Sequence, residues 1–101
     1  MREKVFLLII MRKKERVRSA GDISEEMREL VYSSNGNIIA SMIAKIDRPA
    51  PNYFLRRGKL NEVREQVSHL KPRSIITNID LTPIQTRNLE DMFKIKVVDR
   101  T

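Results

Sequence analysis

Seven consecutive apolar residues, Val5-Phe-Leu-Leu-Ile-Ile-Met11, stand near the start of a chain of 101 residues. The run shows neither the alternation of a half-solvated strand nor the three-to-four spacing of a surface helix. A continuous run of this length predicts a strand, Lys4 to Ile10, buried on both faces, as in a parallel sheet covered by helices on each side. It is far shorter than the ~20 residues a membrane span needs. A basic start followed by a short apolar run also resembles a signal peptide. Here Arg12-Lys13-Lys14 follows and no small-residue cleavage site does. The chain reads as cytoplasmic, with no membrane partner.

The rest of the chain supplies the other elements of such a sheet. Met11 to Gly21 is rich in Arg and Lys and reads as a long loop. Asp22-Ile-Ser-Glu25 looks like a capped helix start. Ile23, Met27, Leu30 and Val31 then fall on one helical face, and Asn35-Gly36 ends the helix. Asn37 to Ile46 reads as a second strand. Asp47 to Pro51 is a loop, because two prolines fix φ and remove donors, and Tyr53-Phe54-Leu55 adds a short extended piece. Gly58 opens a second helix with Leu60, Val63, Val67 and Leu70 on one face, and Pro72 stops it. Ser74 to Ile79 is a third strand. Thr82-Pro83-Ile84-Gln85 starts a third helix, with Leu81, Ile84, Leu89 and Met92 on its buried side. Ile95 to Val98 is a fourth strand.

The order βαβαβαβ predicts a single α/β domain over residues 1–101. It has three layers around a four-stranded, mainly parallel sheet with right-handed crossovers. By analogy with doubly wound sheets the expected strand order is 2-1-3-4. The length leaves no room for separate cofactor and substrate domains. With no cysteine and one histidine, His69, disulfides, zinc ribbons, thiol catalysis and multi-histidine metal sites are excluded. His69 itself reads as a surface residue near a helix end. Tyr32, Tyr53, Phe54 and Phe93 are too scattered for a base-stacking platform and read as core or loop packing.

Charge points to the class of partner. Lys and Arg number 20 against 13 Asp and Glu, a net charge of +7, which favours an anionic partner. Ligands of open α/β sheets bind beyond the carboxyl ends of the strands. The loops there are 11–21, 47–58, 79–82 and whatever follows Asp99. Ten of the 20 basic residues fall in or beside them: Arg12, Lys13, Lys14, Arg16, Arg18, Arg48, Arg56, Arg57, Lys59 and Arg100. This clustering predicts a phosphate-binding face, against the plainer reading of a solvated basic surface. Asp47, Asp80 and Asp99 also fall at strand carboxyl ends. They hold Mg²⁺, act as acid and base or, as is commoner, cap loops and pair with arginines; Asp80 is a candidate cap for the third helix. Gly58-Lys59 before a helix suggests a phosphate loop. The 3 glycines are Gly21, Gly36 and Gly58, however, so no G-x-x-x-x-G-K-[ST] exists, and Leu60 stands at the Ser/Thr position.

Four segments carry a resemblance. Arg48-Pro-Ala-Pro51, Phe54-Leu-Arg-Arg-Gly-Lys-Leu60, Leu81-Thr-Pro-Ile-Gln-Thr-Arg-Asn-Leu-Glu90 and Val97-Val-Asp-Arg-Thr101 resemble the N-terminal domain of HflX-type GTPases. That family shows R-P-x-P-x-x-Y-I-G-x-G-K, L-[ST]-P-x-Q-x-R-N-L-E and V-[IV]-D-R-T. The match covers residues 38 to 101 well, and residues 1 to 37 only in their strand–helix pattern. The resemblance implies a cytoplasmic, ribosome-associated protein that binds the large subunit near the peptidyl-transferase region. It implies a GTPase domain using GTP and Mg²⁺ beyond a helical hairpin, C-terminal to this region. Neither hairpin nor GTPase domain lies within these 101 residues, so this is an excised domain or a stand-alone relative, and no GTP hydrolysis is expected of the chain alone. Where the family has the first Gly of G-x-G-K, this chain has Arg56.

Three functional expectations follow. The first is a module docking on ribosomal RNA through Arg12, Lys13, Lys14, Arg16, Arg48, Arg56 and Arg57. The second is an ATP-binding domain with weak hydrolysis, using Gly58, Lys59 and Asp80, since the family's N-terminal region has been linked to adenine nucleotides. The third is a regulatory domain that packs on a C-terminal GTPase domain.

Overall fold

The computed structural model describes residues 3–13 and 20–100. The elements alternate: β1 (Glu3–Arg12), α1 (Ala20–Ser33), β2 (Gly36–Ile46), α2 (Arg57–Leu70), β3 (Ser74–Thr77), α3 (Pro83–Phe93) and β4 (Lys96–Val98). The four strands form one sheet in the order β2-β1-β3-β4, and every pairing is parallel.

The apolar run explains the centre. Val5 to Met11 are all buried, because β1 lies between two strands and beneath helices on both faces. Val5, Leu7, Ile9 and Met11 point to one face, where Met27 and Val31 of α1 cover them. Phe6, Leu8 and Ile10 point to the other, against Leu60, Val63 and Val67 of α2 and Leu89 and Phe93 of α3. The period-two alternation of a strand sorts one apolar run into two cores. Handedness then fixes the layers. The chain steps one way from β1 to β2 and the other way from β2 to β3 to β4. Right-handed crossovers therefore put α1 on one face and both α2 and α3 on the opposite one.

Several boundaries differ from the sequence reading. Met11 and Arg12 are not loop. They pair with Lys45 and Ile46, and the amide of Lys13 donates to the Ile46 carbonyl at 2.8 Å, since a long partner strand lets β1 keep its ladder. The first helix starts at Ala20, so Asp22 sits in its first turn rather than at its cap. There a carboxylate still suits the helix dipole. β3 ends at Thr77 rather than Ile79, and β4 begins at Lys96. Ile84, expected on the buried side of α3, is 65% exposed. The inward stripe is Gln85, Leu89 and Phe93, and Ile84 is rotated off it. Leu30 and Leu70 are also exposed, at 55% and 39%.

At the α1–β2 turn Asn35 takes the left-handed conformation, φ 65°, and Gly36 starts the strand. Gly36 serves close approach: a Cβ there would lie 2.6 Å from Val31 Cγ1. Ile39 is the extra residue of a bulge, since Val5 faces Ile38 and Phe6 faces Ala40.

Thr77 is 2% exposed, and its hydroxyl has no hydrogen-bond partner among the described residues. An unsatisfied buried hydroxyl costs about 1–3 kcal/mol. Thr77→Val, which keeps the shape, is expected to raise unfolding stability by about 1 kcal/mol. Urea denaturation checks this; an unchanged or lowered midpoint would show that the hydroxyl is satisfied in solution.

Candidate functional site

Because all strands are parallel, every strand ends at the same end of the sheet. Arg12 ends β1 and Lys13 follows it, Asp47 and Arg48 follow β2, Asp80 lies after β3, and Asp99 and Arg100 follow β4. The N-terminus of α2, with Arg56 and Arg57, lies at this end too. The connections step in opposite directions across the sheet from the boundary between β1 and β3, and a cleft of ≈ 540 Å³ opens there. Ile10, Met27, Phe54 and Ile79 line it, with Arg12, Glu26, Asp80 and Arg100 contributing charges of both signs. This is the switch point at which open α/β sheets place ligands.

One side chain holds the strands together at the mouth of the cleft. The β1–β3 ladder ends at Leu8 and Thr77. Beyond it, Asn78 Oδ1 accepts from the Ile10 amide at 2.8 Å and Asn78 Nδ2 donates to the Ile10 carbonyl at 3.1 Å. An amide side chain thus imitates one more strand residue.

The loop from Asp47 to Arg56 is fixed in the same manner. Gln85 is buried and donates to the carbonyls of Ala50 and Pro51, both at 3.3 Å. Asn88 donates to the Asn52 carbonyl at 2.9 Å. Ala50 and Phe54 exchange two backbone hydrogen bonds at 2.8 and 3.0 Å, which hold Phe54 at φ 68°, a conformation costing about 1–2 kcal/mol. Nearby, Glu90 accepts from the Val97 amide at 3.0 Å, and Asp99 accepts from the Leu81 amide at 2.9 Å. The capping box expected at Thr82 and Gln85 forms, with bonds of 3.1 and 3.0 Å. Most polar residues of the Leu81–Glu90 segment are therefore structural staples. Sequence reading found the cap and missed the staples, whose partners are backbone groups up to 36 positions away. No side-chain periodicity reports them.

The basic residues do not converge on one point. Arg48, Arg56 and Arg57 are exposed on the pinned loop and the first turn of α2. Arg12 lines the cleft with Arg100. Lys13 pairs with Asp47 at 3.6 Å, both largely exposed, and such a pair contributes little stability. Lys14, Arg16 and Arg18 lie outside the described residues. The opposite end of the sheet is also basic: Lys4, Lys71, Arg73, Lys94 and Lys96 are all exposed there.

The residues of the nucleotide reading are placed differently from a phosphate loop. Arg56 caps α2 with φ −82°, comfortable for any residue, so no glycine is needed there. Gly58 lies inside the helix, and a Cβ on it would meet nothing within 4 Å. Lys59 pairs with Glu62 at 3.1 Å. Asp80 lines the cleft, as do Arg12 and Arg100, and the cap of α3 is Thr82. Among the described residues no group of three carboxylate, histidine or cysteine side chains is placed to hold a metal. His69 is exposed, while Phe54 and Phe93 are buried in the core, as expected. Among the described residues, no helix is long and apolar enough to cross a membrane.

The chain is similar to several known proteins. The chain is 32% identical over 77 residues to the GTPase HflX of Lacrimispora saccharolytica, 76% of this chain and 18% of that protein. It is 26% identical over 99 residues to the GTPase HflX of Flavobacterium psychrophilum, 98% of this chain and 24% of that protein. It is 31% identical over 77 residues to the GTPase HflX of Escherichia coli, 76% of this chain and 18% of that protein. The chain thus spans about a fifth of these relatives' length. The crystal structure of a mutation variant of SsGBP shares the fold, with a TM-score of 0.65 at 18% identity, covering 94% of this chain and 29% of that one. Residues 22–101 match the family model described as GTP-binding GTPase N-terminal, and the chain belongs to that family of HflX N-terminal domains.

Proposed function

We propose that this domain docks a longer GTP-binding protein on large-subunit ribosomal RNA, through the arginines at the carboxyl end of its sheet. One observation carries the reading: Arg48, Arg56 and Arg57 are exposed on a segment held rigid by Gln85 and Asn88. Guanidinium groups on a preorganised loop lose little entropy on meeting phosphates, and such contacts position a protein on RNA without reading its sequence. The adenine-nucleotide alternative has weaker support, because Gly58 lies inside α2 and leaves no glycine loop ahead of Lys59.

The basic residues at both ends of the sheet dictate the test. Arg56→Glu with Arg57→Glu changes the net charge by the same amount as Lys94→Glu with Lys96→Glu. The first pair is expected to lower affinity for large-subunit RNA about tenfold and to reduce the salt slope by about 2. The second pair is expected to cost less than about threefold. Filter binding across a salt series measures both. Equal losses would show diffuse attraction of a +7 chain and overturn the docking face.

A further inference from the structure

The two edges of this sheet are guarded unequally. β4 has 3 residues and carries exposed Lys96; a short, charged edge resists pairing with another chain. β2, at the opposite edge, has 11 residues, Gly36–Ile46, with Lys45 as its one charge and no proline. Its bulge at Ile39 disturbs only the first part. From Ala40 to Ile46 it follows β1 in unbroken register. Among the described residues no strand pairs with its outer side.

One hydrogen bond fixes which backbone groups face outward. The Ile46 carbonyl accepts from the Lys13 amide, so the polar groups of Ile46 turn toward β1. Successive residues of a strand turn opposite ways, so Ala44 and Met42 also face β1. The N–H and C=O groups of Ser41, Ile43 and Lys45 point out of the sheet. Apolar surface lies beside this edge on both faces. On the α1 side Ile43, opposite Ile9 of β1, is exposed. On the α2 side Met42 and Leu70 line a notch with Glu62, Glu65, Gln66 and His69.

We infer that β2 pairs with β2 of a second copy of this chain, antiparallel across a twofold axis at Ile43, so that two four-stranded sheets become one. Self-complementarity selects this occupant. The axis sets Ile43 against its own counterpart and Ser41 against the counterpart of Lys45. All are residues with outward groups, so the opposed pairs exchange about six hydrogen bonds in all. The two exposed isoleucines cover one another, and no like charges stand directly opposite. Met42 meets the counterpart of Ala44, a large side chain against a small one. The seven residues from Ala40 to Ile46 span about 24 Å, and three layers make the edge about 30 Å deep, so up to roughly 700 Å² per partner is covered. That is close to the ~800 Å² per partner of specific interfaces, and it suits a reversible dimer. Because β4 is guarded, assembly closes at two copies. The inference does not rest on the RNA reading, which concerns Arg48, Arg56 and Arg57.

Sedimentation of this chain from micromolar to millimolar concentration tests it. The mass is expected to rise to that of two chains and no further. Each copy carries +7, so pairing is expected to strengthen as salt rises, opposite in sign to phosphate binding. Ile43→Lys is expected to weaken the dimer at least tenfold. Ile84→Lys, the same change at an exposed site on α3, is expected to leave it unchanged. Thermal melting verifies that both variants fold. Amide exchange in the unsubstituted chain provides a second readout. Met42 and Ala44 are expected to be protected at every concentration, and Ser41, Ile43 and Lys45 only where the dimer forms. A monomer throughout overturns the inference. So does a dimer that Ile43→Lys leaves intact, or one that forms without protecting the Ser41, Ile43 and Lys45 amides.

Discussion

Phe6→Ala is expected to cost about 3–5 kcal/mol of unfolding stability, a large part of the 5–15 kcal/mol typical of a domain. Phe6 is 0% exposed and stands on the central strand, opposite Ala40 of β2 and Ile75 of β3. Its ring belongs to the larger core with Val63, Leu89 and Phe93, so truncation removes contacts to both helices of that face at once. Close packing around a central strand leaves little freedom for neighbours to collapse into the void. Ile43→Ala provides the contrast. Ile43 is 47% exposed on the outer strand, and its truncation is expected to cost no more than about 1 kcal/mol. Guanidinium denaturation of the two variants measures the difference. Similar losses would mean that β1 is not the centre of the sheet.

That contrast marks what the sequence makes legible. The uninterrupted run from Val5 to Met11 identifies a doubly buried strand because no polar residue interrupts it. The Thr82-Pro83-Ile84-Gln85 start is readable because a capping box is a local event whose partners lie three residues apart. Alternation of elements with turn signals gives βαβαβαβ, and handedness then fixes which face each helix takes. What resists reading is non-local. β1 extends to Arg12 only because β2 is long enough to pair with it. Ile84 and Gln85 exchange their expected environments because the Gln85 amide finds the carbonyls of Ala50 and Pro51, 34 to 35 positions away. Lys71 and Lys94 end helices at φ 52° and 63°, positions for which glycine is the usual signal. For the candidate site, the sequence brings Arg12, Asp80 and Arg100 to one end of the sheet. It does not show that they share a cleft, nor that Lys59 lies beside Glu62.

Asn78 is the clearest case of a residue whose role lies in its long-range partners, and its removal is the second large expected effect. Ile10 is 4% exposed, so its amide and carbonyl have little access to water, and both are satisfied by the one side chain at 2.8 and 3.1 Å. Each buried polar group left without a partner costs about 1–3 kcal/mol, so Asn78→Ala is expected to lose about 2–4 kcal/mol. Asn78→Asp keeps an acceptor for the amide but turns a carboxylate oxygen toward the Ile10 carbonyl, and is expected to restore little. Stability alone does not separate a clamp from ordinary packing. Hydrogen exchange does, because the clamp acts on one named amide. In Asn78→Ala the Ile10 amide should exchange by local opening, faster than the Leu7 and Leu8 amides further down the same strand. In the wild-type chain all three should exchange at similar protection. If Ile10 stays as protected as Leu8 and the stability loss is under about 0.5 kcal/mol, water replaces the side chain and the strands at the switch point need no clamp. If protection falls at Ile10 alone, the mouth of the cleft is held open to a fixed width by a single amide.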